Sequence, residues 1–166
     1  MNDKRGINPQ HLYDHVIKPA CIIVDGYVRR EVADLMLGTC AQESMMGRFL
    51  QQHNSGPAHG IFQMEEPAYN DVWENYLKYK PELKQQILVV FGGVDAVNYH
   101  RLTADMLFAA VMCRLDYKRE PQAIPKDNIL GLANYWKAYW NSKKGKGTPE
   151  EFITNFQIYV LSKVKY

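Results

Sequence analysis

Glu43 closes a run of apolar residues at helical spacing, and a polar loop containing Gly47, Gly56 and Pro57 separates it from Gly60-Ile61-Phe62-Gln63-Met64. A negative charge at a helix C-terminus opposes the macrodipole, so its position there needs a reason. The sequence offers Met45, Met46, Phe49 and Phe62 as walls around it. Apolar walls withdraw water from the charged carboxylate and raise its pKa. A carboxyl tuned in that direction can give up a proton near neutral pH and take one back, which is general acid/base chemistry. Glu65, directly after Met64, is the candidate second carboxylate, with Glu66 and Asp71 as nearby alternatives. The competing reading makes Glu43 a solvated helix-end charge and Glu65 a dipole partner of the helix that follows it.

The reaction that most needs a protonated carboxyl is cleavage of a glycosidic bond, because the sugar leaves poorly as an alkoxide and the oxocarbenium ion is favoured by nearby negative charge. Glu43-Ser44, a polar loop, Ser55, Ala58 and Gly60-Ile61-Phe62-Gln63-Met64 together resemble the lysozyme superfamily. The resemblance is closest to the branch of soluble lytic transglycosylases and goose-type lysozymes, whose signature is Glu-Ser followed by Ser-x-Gly-Ala-x-Gly-Leu-Met-Gln. It implies that Glu43 is the catalytic acid/base, that Phe62 and Gln63 line a sugar cleft, and that Ser44, Ser55 and Gly60 match positions close to substrate. Glu65 stands where goose-type lysozymes carry an acidic residue thought to position water. Pro57 replaces a signature glycine. Lys137-Ala138-Tyr139-Trp140-Asn141 is similar to the Ala-Tyr-Asn-x-Gly segment of the family, with Trp140 inserted before Asn141, which implies that Tyr135 or Tyr139 supports the catalytic Glu and that these residues and Asn141 contact substrate. His53 and His59 flank the loop, but their spacing to Glu65 or Glu66 matches no zinc pattern. Loop polarity or sugar contact is the expectation for them, with no metal and no cofactor.

These groups need rigid carriers. Asn8 as N-cap and Pro9 at the first helical position predict a short helix that stops before Pro19. Val28, Val32, Leu35, Met36 and Cys40 predict a helix over 27–44 that holds Glu43. The turn residues at 47–60 with the following "GIFQM" predict a small β-hairpin lobe. Helices are expected from Pro67, from Pro81 to Gly92-Gly93, through the almost wholly apolar "TADMLFAAVMCRLDYK", through "ILGLANYWKAYW", and from Thr148, whose Pro149 and Glu151 spell a capping box. Tyr135, Trp136, Tyr139 and Trp140 should divide between core packing and stacking on sugar. The fold class is thus α+β, mainly α, and the resemblance implies a lysozyme-like fold over residues 1–166 as a single domain.

A chain of 166 residues with 46% hydrophobic and 23% charged content has the size and composition of one ordinary globular domain. Cys21, Cys40 and Cys113 are odd in number and flanked by apolar residues, which predicts buried free thiols. The net charge is +2, and Lys143, Lys144, Lys146, Lys163 and Lys165 concentrate the basic excess near the end. That excess reads as solvated helix ends, with no nucleic acid partner. No run reaches the roughly 18 apolar residues of a membrane span, so no stable membrane insertion is expected, and the N-terminus has no apolar core of a signal peptide. The expected partners are peptidoglycan glycan strands, with cleavage at the MurNAc-GlcNAc β-1,4 bond. A chain made in the cytoplasm without a signal peptide would reach the wall by lysis, through a holin-like pore or in a virion. A bacteriophage endolysin or virion-associated hydrolase, with other phage virion proteins as expected partners, is the setting that follows. The alternative is a non-catalytic sugar-binding or virion structural protein of lysozyme-like fold.

Overall fold

The computed structural model describes residues 6–52, 55–142 and 145–166. Among these the architecture is all-α, and the helices begin and end where the local chemistry directs. Asn8 caps α1 (Pro9–Leu12), its Oδ1 accepting from the backbone N–H groups of Gln10 and His11. The helix does not stop before Pro19. It passes through a π turn (Tyr13–Ile17) into α2 (Lys18–Asp25), and the wider turn accommodates a ring that brings no N–H to the helical ladder. Gly26, in the left-handed region at φ 79°, ends α2.

The central helix α3 (Arg30–Ser44) starts three residues later than the periodicity suggests, because Arg29 is extended and serves as its N-cap. Almost every residue of α3 from Val32 to Ala41 is buried. The second buried helix, α7 (Met106–Lys118), is buried from Phe108 to Tyr117. Its start is set by Asp105, whose side chain accepts from Phe108 N and separates α7 from the short α6 (Arg101–Ala104). Thr39 of α3 hydrogen-bonds Tyr117 of α7 at 2.7 Å, and Asp25 of α2 is gripped by Arg114 and Lys118 of α7. These polar links sit among buried apolar side chains and fix how the helices face one another.

Around this centre pack α4 (Glu66–Asp71), which runs into a π turn at Val72–Tyr76; α5 (Pro81–Phe91), ended by left-handed Gly92; α8 (Ile129–Trp136), which continues as a π turn at Lys137–Asn141; and α9 (Pro149–Tyr159). The capping box at Thr148 and Glu151 forms as expected. A β-carbon on Gly38 would lie 2.3 Å from the Phe152 ring, so glycine there lets α9 settle directly on α3. Cys21, Cys40 and Cys113 are buried and free. No helix among the described residues is long and apolar enough to cross a membrane.

The β-hairpin lobe is corrected. Among the described residues there is no strand, only isolated antiparallel bridges of His59 with Gln51 and with Met64. Pro57 has no N–H to extend a ladder, and the chain turns back at Gly60–Gln63 through a Gln63 N to Gly60 O bond of 3.0 Å. The loop is held instead by its neighbours. The Tyr99 hydroxyl sits against Pro57 O and Met64 O, and Gly60 N donates to Leu50 O.

Candidate active site

A cleft of about 830 Å³ opens between the end of α3, the Gly60–Met64 loop, the start of α4 and the α8 π turn. Its walls include Glu43, Phe49, Gln63, Glu65, Asp116, Trp136, Trp140, Asn141 and Lys146. Glu43 lies in the last turn of α3, half-buried, with one edge on the cleft. The Trp136 indole Nε1 donates to its Oε1 at 2.9 Å. Burial pushes the Glu43 carboxyl up to about 7, against the hydrogen bond from Trp136, which lowers it, and with the charge of Glu65, which raises it further. A carboxyl with that midpoint exchanges its proton at neutral pH.

The chain leaves α3 through three successive residues in the left-handed region, Met45 at φ 51°, Met46 at 62° and Gly47 at 75°. Ser44 holds this turn. Its buried hydroxyl donates to Ile61 O at 2.5 Å, with Cys40 O at 3.1 Å, and accepts from Gly47 N at 2.8 Å. Ser44 is therefore a brace between the carboxylate helix and the Gly60–Met64 loop rather than a cleft contact. Met46 is buried and Met45 faces solvent, so the expected wall of methionines is replaced by the indole of Trp136.

Several other expectations are met differently. Gln63 and Asn141 do line the cleft. The Gln63 amide donates to Gly60 O, and the Asn141 side-chain oxygen accepts from Lys137 Nζ. Phe62 is only 1% exposed and belongs to the core, because burying a phenyl ring outweighs presenting it to water beside Glu43. Gly60 is needed, but for a neighbour in the fold: at φ 77°, a β-carbon there would come within 2.5 Å of Leu102 O. Ser55 is exposed and does not line the cleft. Tyr135 donates to Gln122 O at 3.0 Å and packs at a tilt against both Tyr117 and Tyr139; neither Tyr135 nor Tyr139 lines the cleft.

Glu65 is exposed on the cleft wall, immediately before α4. Of the alternatives, Asp71 is paired with Arg119 and Glu66 is the exposed first residue of α4. His59 hydrogen-bonds Thr103 at 2.7 Å and packs edge-on against Tyr99. His53, Lys143 and Lys144 lie outside the described residues; Lys146 lines the cleft, while Lys165 pairs through its backbone with Gln10.

Two features of the site escaped the sequence reading. Trp136 was legible only as one of four clustered aromatics, with nothing to single it out as the partner of a residue 93 positions away. Asp116 had a signal, since it is the single acid of the largely apolar Met106–Lys118 helix, and burial pushes its carboxyl up to about 7, with Glu120 adding to the rise. No family model, curated protein or solved structure matches the chain.

Proposed function

We propose that the chain is a peptidoglycan-cleaving muramidase or lytic transglycosylase with a lysozyme-like fold, acting on the MurNAc-GlcNAc β-1,4 bond. The observation that carries this reading is Glu43: a carboxyl raised to about 7 by burial, steadied by Trp136, on the wall of a cleft large enough for several sugar rings. Glu43 donates its proton to the glycosidic oxygen as the C1–O bond breaks. The resulting carboxylate then takes a proton from the nucleophile that attacks C1. If the nucleophile is the muramyl C6 hydroxyl, one carboxyl suffices and the product is a 1,6-anhydro sugar; if it is water, Glu65 on the same wall is available to orient it.

Three further features support the reading. Glu43 and Gln63, matched to the signature of the soluble lytic transglycosylase branch, share one cleft. Trp140, the residue inserted into the Ala-Tyr-Asn-like segment, falls in the π turn at Lys137–Asn141, and a turn bonded i to i+5 absorbs one extra residue without breaking the helix. The part-exposed aromatic face at Trp140 suits the apolar face of a pyranose ring, whereas Trp136 is buried behind the wall. The proposed setting is the bacterial cell wall during bacteriophage infection, with glycan strands as the partner and other virion proteins as candidate neighbours.

The test is digestion of purified peptidoglycan by wild type and Glu43→Gln, with mass spectrometry of the soluble products. Fragments ending in 1,6-anhydromuramic acid identify a transglycosylase, and reducing ends identify a hydrolase. No release by wild type, or equal release by Glu43→Gln, would refute the catalytic role of this carboxyl.

A further inference from the structure

A second cavity, of about 240 Å³, lies between the first turns of α3 and α8 and the segment that follows α9. It shares no lining residue with the Glu43 cleft, and its Asp34 stands about 14 Å along the α3 axis from Glu43. The floor is apolar: Leu132 of α8, Phe156 of α9 and Val160 border it, each nearly out of solvent. One wall is the segment 160–166, which is pinned to α1 and its π turn. Gln10 Oε1 accepts from Lys165 N at 2.8 Å while Gln10 Nε2 donates to Lys165 O at 3.1 Å, and the Tyr166 ring packs edge-on against Tyr13 with centroids 5.1 Å apart. The walls are therefore held while the space between them stays open, which forfeits the dispersion contacts that a filled space would keep.

The rim has the opposite character. Asp34 borders it with a side chain only 17% exposed, and its Oδ1 accepts from the Tyr166 hydroxyl. Arg30 Nε is 3.6 Å from Oδ2, an ion-pair separation too long for a good hydrogen bond, and the guanidinium lies instead over the Tyr166 ring at 4.8 Å. Among the described residues Oδ2 has no closer donor. Asp127 is exposed on the same rim, in the left-handed region at φ 49°. Burial pushes the Asp34 carboxyl up, against the hydrogen bond from Tyr166 and the charge of Arg30, and the charge of Asp127 raises it further. Two acids thus face one guanidinium, and the rim is net negative above an apolar floor. A cation with an apolar body complements both parts, and a primary ammonium brings three donors and no acceptor to carboxylates that only accept. The volume lies below the roughly 300–1,000 Å³ of sites for drug-sized ligands, which limits the body to one ring or a short chain.

We propose that this cavity is a binding site for a small amphiphilic amine, whose ammonium group donates to the Asp34 carboxylate beside Asp127 and whose apolar body lies on Leu132, Phe156 and Val160. The site is separate from the Glu43 cleft and stands whatever that cleft cleaves.

The experiment uses the full chain and three probes of similar shape, 2-phenylethylamine, 2-phenylethanol and phenylacetate, which are positive, neutral and negative at neutral pH. Each is titrated to about 10 mM while backbone amide and side-chain methyl signals are followed by NMR. The amine should bind about tenfold more tightly than the alcohol, with shifts centred on Leu132, Val160 and Val164, and the acid should not bind. Asp34→Asn should bring the amine to the level of the alcohol, and Asp127→Asn should weaken the amine about threefold while leaving the alcohol unchanged. Asp127 is exposed, and asparagine adopts the left-handed backbone as readily as aspartate, so this variant tests the rim charge even if Asp34→Asn fails to fold. No binding of the amine, binding no tighter than that of the alcohol, shifts that fall outside this cavity, or equal affinity in wild type and Asp127→Asn would overturn the site.

Discussion

Glu43→Gln should make the protein more stable above neutral pH, and by an amount that depends on pH. Glutamine keeps the size of the side chain and an oxygen to accept from Trp136 Nε1, and it removes only the ionisation. The folded state raises the carboxyl from 4.5 to about 7. Between those values the folded chain holds a proton that the unfolded chain releases, so stability falls as pH rises through this window, and the full penalty persists above it. At about 1.4 kcal/mol per tenfold change in proton affinity the penalty reaches about 3 kcal/mol at pH 8. Residual water contact of a half-buried side chain reduces that to about 2 kcal/mol, equivalent to roughly 4–8 °C in melting temperature for a chain of this size. Thermal melts of both proteins at pH 4, 6 and 8 read the effect. The two curves should nearly coincide at pH 4 and separate in favour of the variant by pH 8, and the Asp116 contribution, common to both, cancels. A constant difference across that range, or a wild type that is the more stable at pH 8, would refute the claim that burial raises this carboxyl.

Trp136→Phe removes the donor that favours the charged form of Glu43, so the alkaline limb of the kcat–pH profile on soluble glycan chains should move upward by about one pH unit; a limb that stays in place would show that the indole does not tune the acid. Ser44→Ala leaves Ile61 O and Gly47 N without the hydroxyl that joins them, at a cost of about 1–3 kcal/mol in urea unfolding. The loop that carries Gln63 should loosen with it, and a variant as stable as wild type would show that Ser44 is not the brace described.

The elements that the sequence makes legible are those whose signals are local. Thr148 with Glu151, Asn8 with Pro9, and Gly92 after Phe91 mark helix ends through atoms within a few residues of one another, and each forms as read. The apolar run of α7 and the placement of Glu43 in the last turn of α3 are equally local, being matters of period and position. The helix through Pro19 and the absent hairpin share one cause: proline and glycine bias the backbone locally, and here neighbouring elements settle its geometry instead. The Tyr13–Ile17 π turn carries the helix past Pro19, and Tyr99 rather than a strand partner anchors the loop.

At the site the division is sharper. Residue types and the resemblance together singled out Glu43, Glu65, Gln63 and Asn141, which border one cleft, and also Ser55, Tyr135 and Tyr139, which do not. They could not say that Ser44 and Phe62 turn inward, that Trp136 holds the carboxyl, or that Asp116 comes up beneath the same wall. Along the chain, sequence by itself determined which segments are helical and where a carboxyl would stand at a helix end, because capping and periodicity act over a turn or two. Only the tertiary structure decided which side chains lost water and which gained a partner, because burial and hydrogen bonding at this cleft join α3, α7 and α8 across gaps in sequence that no local preference spans.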